Sequence, residues 1–320
     1  MVEKVAPLRV IFCGTPAFGL PTLRLLLNDR DSSVEAVFTQ PDRPRGRGHE
    51  SSQSPIKEAA LKTGVRVHQP QSMRASEVAD LITQIKPDAA VVIAYGQIIP
   101  KGLLDIPRLG WINLHASMLP KYRGAAPVQR AILAGERQTG LTIMQIDAGL
   151  DTGPILEQIE VNIGADETSP ELLERMSRLG APMILDSLRK LERGMLAARP
   201  QDNALATLAP PIKKEEGRID WAQSAAAIYN RIRAFDPWPG TYSSFRGRLC
   251  HIWGTPAVGY GPEKSAECGT IVHKAHNVLV ACGLGTWLRL ASVHLEGRKR
   301  VTAAEFANGA RLTTNDRLGS

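Results

Sequence analysis

Short apolar runs alternate with amphipathic stretches over the first two-thirds of the chain. Residues 8–13 form a nearly unbroken apolar run, which predicts a buried parallel strand. Residues 14–19 (GTPAFG) turn the chain into a helix over 21–27. Further strands are predicted at 34–38, 65–68, 89–94, 111–115, 142–146 and 155–163, and helices at 55–62, 75–85, 128–133 and 170–191. Strands that alternate with helices imply βαβ units, and so an α/β fold with a doubly wound, mostly parallel sheet. Ligands of such sheets bind outside the carboxyl ends of the strands.

The pattern changes after Gly194. Residues 192–211 have no apolar period and carry Pro200, Pro210 and Pro211, which suits a linker. Beyond it come a helix over 224–235 and five short runs, 242–245, 251–253, 269–272, 278–281 and 287–290, split by glycine and proline. Five short strands suggest a small barrel of the OB type, a common nucleic-acid binder. The expected organisation is a catalytic domain over 1–191, a linker over 192–209 and a C-terminal domain over 210–320. There is no internal repeat.

Composition narrows the class. The 320 residues are 43% hydrophobic and 22% charged, ordinary for a globular protein. No apolar run approaches the roughly 20 residues a membrane helix needs, and residues 1–7 are too polar for a signal peptide. Cys13, Cys250, Cys268 and Cys282 form no CxxC pair, which points to a reducing cytoplasm without disulfides or a zinc site. Residues 210–320 hold 15 Lys and Arg against 9 Asp and Glu, a net +6 of the chain's +7. A basic appendage on a near-neutral body suits either a polyanionic partner or a surface kept soluble by charge.

Chemistry concentrates at one strand end. Asn113 and His115 are two apart on a predicted strand, so they share a face. Such a pair either satisfies backbone groups or acts, the carboxamide holding an oxyanion and the imidazole moving a proton. In residues 149–153 (GLDTG) Asp151 stands in a turn between strands, where it could orient His115, with Asp147 as a rival. Arg123, in residues 121–127, either meets an anionic group or faces solvent. Arg43, Arg45 and Arg47 lie in a Gly- and Pro-rich stretch after the second strand, which reads as a phosphate-binding loop or a solvated one. Residues 14–19 lack both G-x-G-x-x-G and a following Gly-Lys-Ser/Thr, which argues against a nucleotide cofactor.

Residues 113–120 (NLHASMLP), 122–129 (YRGAAPVQ) and 149–153 (GLDTG), in that order, resemble the folate-dependent formyltransferases, and among them those that formylate methionyl-initiator tRNA. Residues 12–18, 40–48, 219–221 and 232–240 extend the resemblance over nearly the whole chain. It implies a Rossmann-like N-terminal domain, a C-terminal OB-like tRNA-binding domain, and 10-formyltetrahydrofolate as formyl donor with no metal. Methionyl-initiator tRNA is the implied partner, with no obligate protein partner. The family's catalytic residues fall on Asn113, His115 and Asp151, its folate-contacting segment on Ser117, Met118, Leu119 and Pro120, and its tRNA-contacting loop on residues 40–54 with Arg43, Arg45 and Arg47. Two positions depart: Met118 replaces the usual leucine, and residues 48–54 lack the usual Lys-Lys-Leu-Met-like stretch. A formyltransferase of a small amine, such as an amino-sugar nucleotide or glycinamide ribotide, and a non-catalytic tRNA-binding protein are the alternatives.

Overall fold

The computed structural model describes residues 6–45, 50–259, 266–274, 277–313 and 315–319. Two compact units divide it. The first holds residues up to Pro127 together with Gln138–Asn162 and Leu173–Ala209, and the second holds Val128–Arg137, Ile163–Leu172 and the chain from Pro210 onward.

The first unit is built on strands β1 (Leu8–Gly14), β2 (Ser32–Phe38), β3 (Arg43–Arg45), β4 (Glu50–Ser52), β5 (Val67–His68), β6 (Ala89–Ile93), β7 (Trp111–His115), β8 (Gln138–Gln145) and β9 (Ile155–Asn162). The main sheet runs β5-β2-β1-β6-β7-β8-β9, parallel from β5 through β7 and antiparallel across β8 and β9. The chain moves from β1 outward to β2 and β5, then returns to β6 on the other side of β1. That reversal is the switch point at which open α/β sheets leave a crevice.

Helices α1 (Leu20–Asn28), α2 (Pro55–Lys62), α3 (Ser76–Ile85) and α4 (Lys101–Leu104) follow their strands. The start of α2 is written locally. Ser54 caps it, its side chain accepting from the Lys57 N–H at 3.1 Å, and Pro55 occupies the first turn. Val78 and Ile82 of α3 bury on Ile11, Cys13, Ala36, Ala90, Val92 and Trp111. Trp111 therefore marks the face of β7 that Asn113 and His115 continue towards the strand's end. Leu114 points to the opposite face, where Gly180 of the long helix lets it approach so closely that a Cβ would collide.

Helix α5 (Pro127–Leu133) from Val128 onward and the first residues of α6 (Ser169–Glu192) belong to the second unit. So do α7 (Ala225–Ala234), strands β10 (Tyr242–Phe245), β11 (Arg248–Pro256), β12 (Ile271–Lys274), β13 (Asn277–Ala281), β14 (Trp287–Leu295) and β15 (Val301–Thr302), and α8 (Ala303–Ala310). The sheet is antiparallel in the order β10-β11-β14-β13-β12, with β15 beside β14, an OB-like arrangement. Its core joins Ile228 and Ile232 of α7 and Phe306 of α8 to Ile252, Val280 and Leu288.

The sequence-predicted strand at 65–68 shrinks to two residues, and the short runs at 251–253 and 287–290 grow into nine-residue strands paired with each other. Helix α8 and the β3–β4 hairpin were not anticipated. The segment expected as a linker carries regular contacts of its own. Arg199 pairs with Ile155, and the Arg123 N–H donates to the Thr207 carbonyl at 2.8 Å while the Ala209 N–H donates to the Arg123 carbonyl at 2.7 Å.

An ion pair ties the C-terminal tail to the barrel. Arg246 donates to both oxygens of Asp316, at 2.7 and 2.8 Å, and Thr313 adds its N–H at 2.7 Å. The Asp316 side chain is 8% exposed, and the guanidinium holds its carboxyl down at about 2. A depressed carboxyl stabilises the fold above the unfolded value of about 3.9 and loses that contribution as pH falls towards 2. Because Arg246 is half exposed, Asp316→Asn should cost about 1–2 kcal/mol at pH 7. Thermal unfolding of the two proteins should converge between about pH 4 and pH 2, and a gap that persists at pH 2 would refute the assignment.

Candidate active site

Strand β7 ends at the site. His115 is 5% exposed and Asn113 is half-buried, on one face of the strand. The His115 Nε2 lies 2.9 Å from the Tyr122 carbonyl. A carbonyl only accepts, so Nε2 carries the proton and Nδ1 is left as the proton-accepting nitrogen. Nδ1 faces Asp151 Oδ2 at 3.7 Å. The Asn113 carboxamide makes no hydrogen bond among the described residues, so its two N–H donors stand available at the strand end.

Asp151 is placed by its turn. Its φ of 51° is left-handed, and its Oδ2 accepts the Gly124 N–H at 2.8 Å. Gly124 sits at φ 122° with the Ala209 carbonyl 2.7 Å from where a Cβ would stand, so only glycine fits. The rival carboxylate is used up locally. Asp147 accepts from the Gly149 N–H at 3.0 Å and from Thr152 Oγ1 at 2.7 Å, closing the turn that presents Asp151.

The segment after β7 is pinned onto the neighbouring strands. Ser117 is fully buried and donates to the Lys121 carbonyl at 2.6 Å. Thr142 of β8 donates to the Ser117 carbonyl at 2.7 Å and accepts the Leu119 N–H at 3.1 Å, and Gln158 of β9 donates to the Leu119 carbonyl at 2.9 Å. Met118 stands over Gly140 of β8, where any Cβ would strike its side chain. Leu119 is buried with Met144 and Ile155, and Pro120 closes the segment, its carbonyl accepting the Thr207 N–H at 3.3 Å. Sequence reasoning missed Thr142 and Gln158. No local signal set them apart, because β8 also carries Gln138, Thr139 and Gln145, and β9 also carries Glu157, Glu160 and Asn162.

Arg123 follows neither sequence reading. It is 6% exposed, and its guanidinium donates to Gln201 Oε1 at 3.0 and 2.7 Å and to Asn203 Oδ1 at 2.8 Å. Burial among amide oxygens satisfies it inside the protein, so it neither faces solvent nor reaches for an anion.

Arg43 and Arg45 lie on β3, and Arg47 lies outside the described residues. The root of that hairpin is anchored just before Arg43. Lys57 forms an ion pair with Asp42 and donates to Gln69 Oε1 at 2.7 Å, and Gln69 donates to Asp42 Oδ1 at 2.8 Å and to the Gln40 carbonyl at 2.9 Å. Lys57 and Gln69 together hold the Asp42 carboxyl below its ordinary range. Gln40 in turn donates to the Tyr95 carbonyl at 3.2 Å, just beyond the end of β6. An open cleft of about 410 Å³ lies there, lined by Gln40, Arg74, Gly96 and Gln97 among others. Among the described residues no group of three or more His, Cys, Asp or Glu is placed to hold a metal ion, and no helix is long and apolar enough to cross a membrane.

Residues 8–188 match the family described as Formyl transferase, and residues 211–311 match the Formyl transferase C-terminal domain. A methionyl-tRNA formyltransferase of Solibacter usitatus is 48% identical over 312 residues, 98% of this chain and 99% of its own length. That of Koribacter versatilis is 46% identical, covering 97% and 98%. Among solved structures, the N-formyltransferase of Helicobacter canadensis in complex with folinic acid and dTDP-3-aminofucose superposes with a TM-score of 0.63 at 17% identity, covering 88% of this chain and 98% of the other. HypX of Aquifex aeolicus in complex with tetrahydrofolic acid gives 0.59 at 16% identity, covering 95% and 48%. These two establish likeness of fold; the matched domains and the full-length identities go further, and the chain belongs to the formyl transferase family, among the methionyl-tRNA formyltransferases.

Proposed function

We propose that the chain transfers the formyl group of 10-formyltetrahydrofolate to the free amino group of methionyl-initiator tRNA, with Asn113, His115 and Asp151 as its catalytic residues. The observation that carries the assignment is the His115 Nδ1 facing Asp151 at 3.7 Å, on the strand face that also presents the Asn113 carboxamide, which has no hydrogen-bond partner among the described residues. The folate supplies a formyl group activated on nitrogen. The donor set fits it, because a neutral carboxamide and a buried imidazole are what an acyl-type transfer needs at the carbonyl oxygen and at the amine.

Asn113 donates to the formyl oxygen as negative charge gathers there. His115 takes the proton of the attacking amine at Nδ1, because Nε2 is committed to the Tyr122 carbonyl, and passes it to the departing nitrogen. Asp151 offsets the positive charge on the imidazole while the proton is held. Residues 117–120, fixed by Thr142 and Gln158, form the wall along which we place the folate. Arg43, Arg45 and Arg47 serve as phosphate contacts to the tRNA, and the net +6 from Pro210 onward widens that electrostatic grip.

Small-amine transfer and a non-catalytic role fit less well. The full-length relatives at 42–48% identity bear the tRNA enzyme's name, and the polar groups the chemistry needs are all present. A substrate of translation initiation, and four free cysteines of which three are buried, suit the cytoplasm. The test is incubation with 10-formyltetrahydrofolate and charged initiator tRNA, read as formylated methionine, with an amino-sugar nucleotide and glycinamide ribotide in parallel. Formylation of a small amine alone would overturn the substrate assignment. Arg298, Lys299 and Arg300 are consecutive exposed cations between β14 and β15; replacing them together by glutamine should flatten the salt dependence of tRNA binding by up to about 3 in slope, and an unchanged slope would remove this stretch from the grip.

A further inference from the structure

We infer that Gln201 is a positioning residue of the active site, holding the Asp151 turn against the loop that carries His115's backbone partner. The inference rests on the assignment of Asp151 as the counter-charge to His115.

Gln201 belongs to the Pro-rich stretch between the two family domains, with no sequence signal of its own. Its amide is saturated by bonds to both loops of the site. Nε2 donates to the Asp151 carbonyl at 2.8 Å and to the Gly153 carbonyl at 2.7 Å. Oε1 accepts from Arg123 Nε at 3.0 Å and from Arg123 Nη2 at 2.7 Å. A primary amide has two donors and two acceptor sites, and all four are used.

The bonds close a circuit. From the Asp151 carbonyl it runs through Gln201 to the Arg123 guanidinium, along one peptide to the Gly124 N–H, and back to Asp151 Oδ2 at 2.8 Å. The residue on the other side of Arg123 is Tyr122, whose carbonyl fixes His115 Nε2. One side chain thus couples the two groups that set the spacing and orientation of the imidazole and its carboxylate. The Asp151 backbone is left-handed, at φ 51°, a conformation that the surrounding structure must hold. The two N–H bonds from Gln201, one at Asp151 and one two residues later, brace that turn. Buried amide networks of this kind carry more than their separate bonds, because leaving one partner unsatisfied disturbs the rest.

Two substitutions separate the halves of the amide. Gln201→Met keeps the length and removes every bond. Gln201→Glu keeps the acceptors for Arg123 and removes both donors to the turn. If Gln201 acts on the turn, both variants lower kcat by roughly 10–100-fold, the cost of a misplacement of about 1 Å, with KM for folate and for tRNA within about threefold of wild type. Each substitution is then repeated in Asp151→Asn. A residue that braces the Asp151 turn has little left to lose there, so the effect of Gln201→Glu, which keeps the Arg123 side, should shrink to less than about threefold.

A Gln201→Glu enzyme with wild-type kcat, a loss expressed as raised KM at constant kcat, or an equal loss in both backgrounds overturns the inference. Should Gln201→Met fail to fold, Gln201→Glu in the two backgrounds decides alone. Asp151→Asn by itself distinguishes the layers. Undiminished kcat there defeats the role of Asp151, whereas a large fall there with full additivity of Gln201 defeats only the bracing role.

Discussion

Alanine at either Asn113 or His115 is expected to remove most turnover while leaving tRNA affinity near wild type. Neither side chain holds the fold. Among the described residues Asn113 makes no side-chain hydrogen bond, and the polar contacts of the His115 ring are the Tyr122 carbonyl and the facing Asp151. In the proposed mechanism both groups meet charge that develops only as the amine attacks, so the loss should fall on kcat. Removing one donor to a developing oxyanion costs about 10²–10³-fold, and removing a positioned proton carrier costs about 10²–10⁴-fold. The two side chains stand on one strand face and serve one event, so the double variant should lose far less than the product of the single losses. The measurement is steady-state formylation beside a direct tRNA binding assay. Near-wild-type kcat in either single variant would sink the mechanism. A fall in tRNA affinity matching the fall in kcat would place that residue in binding instead.

The site was legible in proportion to how local its geometry is. The shared face of Asn113 and His115 follows from a two-residue period, and β7 obeys it because Trp111 and Leu114 are claimed by opposite faces of the sheet. Helix α6 was legible for the same reason, through its long amphipathic period. The choice between Asp147 and Asp151 was legible only through the family resemblance and not from local pattern, since both carboxylates sit in one turn. What separates them is that Asp147 folds back on Gly149 and Thr152 while Gly124, 27 residues earlier, reaches Asp151. Gln201 lay in a stretch without apolar period, and its partners are 48–78 residues away. Helix α8 did carry a local signal that went unread, the Thr302 and Glu305 capping box. The pairing of β3 with β4 was hidden in a Gly- and Pro-rich stretch of sequence, a composition that marks a hairpin as readily as a loop.

Asp151→Asn should keep the fold and lower kcat by about 10²–10⁴-fold, the range expected when a positioned histidine loses its negative partner. Asparagine suits the backbone, because it tolerates the left-handed region that Asp151 occupies at φ 51°. It also keeps the internal bond, since its carbonyl oxygen can accept the Gly124 N–H as Oδ2 does. What it removes is a full negative charge 3.7 Å from His115 Nδ1, in a place where the two side chains are 6% and 17% exposed. That charge matters only while the ring holds the proton, so the change should appear in kcat with thermal stability close to wild type. Asp147→Asn is the comparison that isolates charge from turn geometry. Among the described residues its carboxylate serves the turn's own Gly149 and Thr152, so its neutralisation should change kcat far less. If the two asparagine variants lost equal activity, the turn's shape and not the carboxylate facing His115 would be what Asp151 contributes.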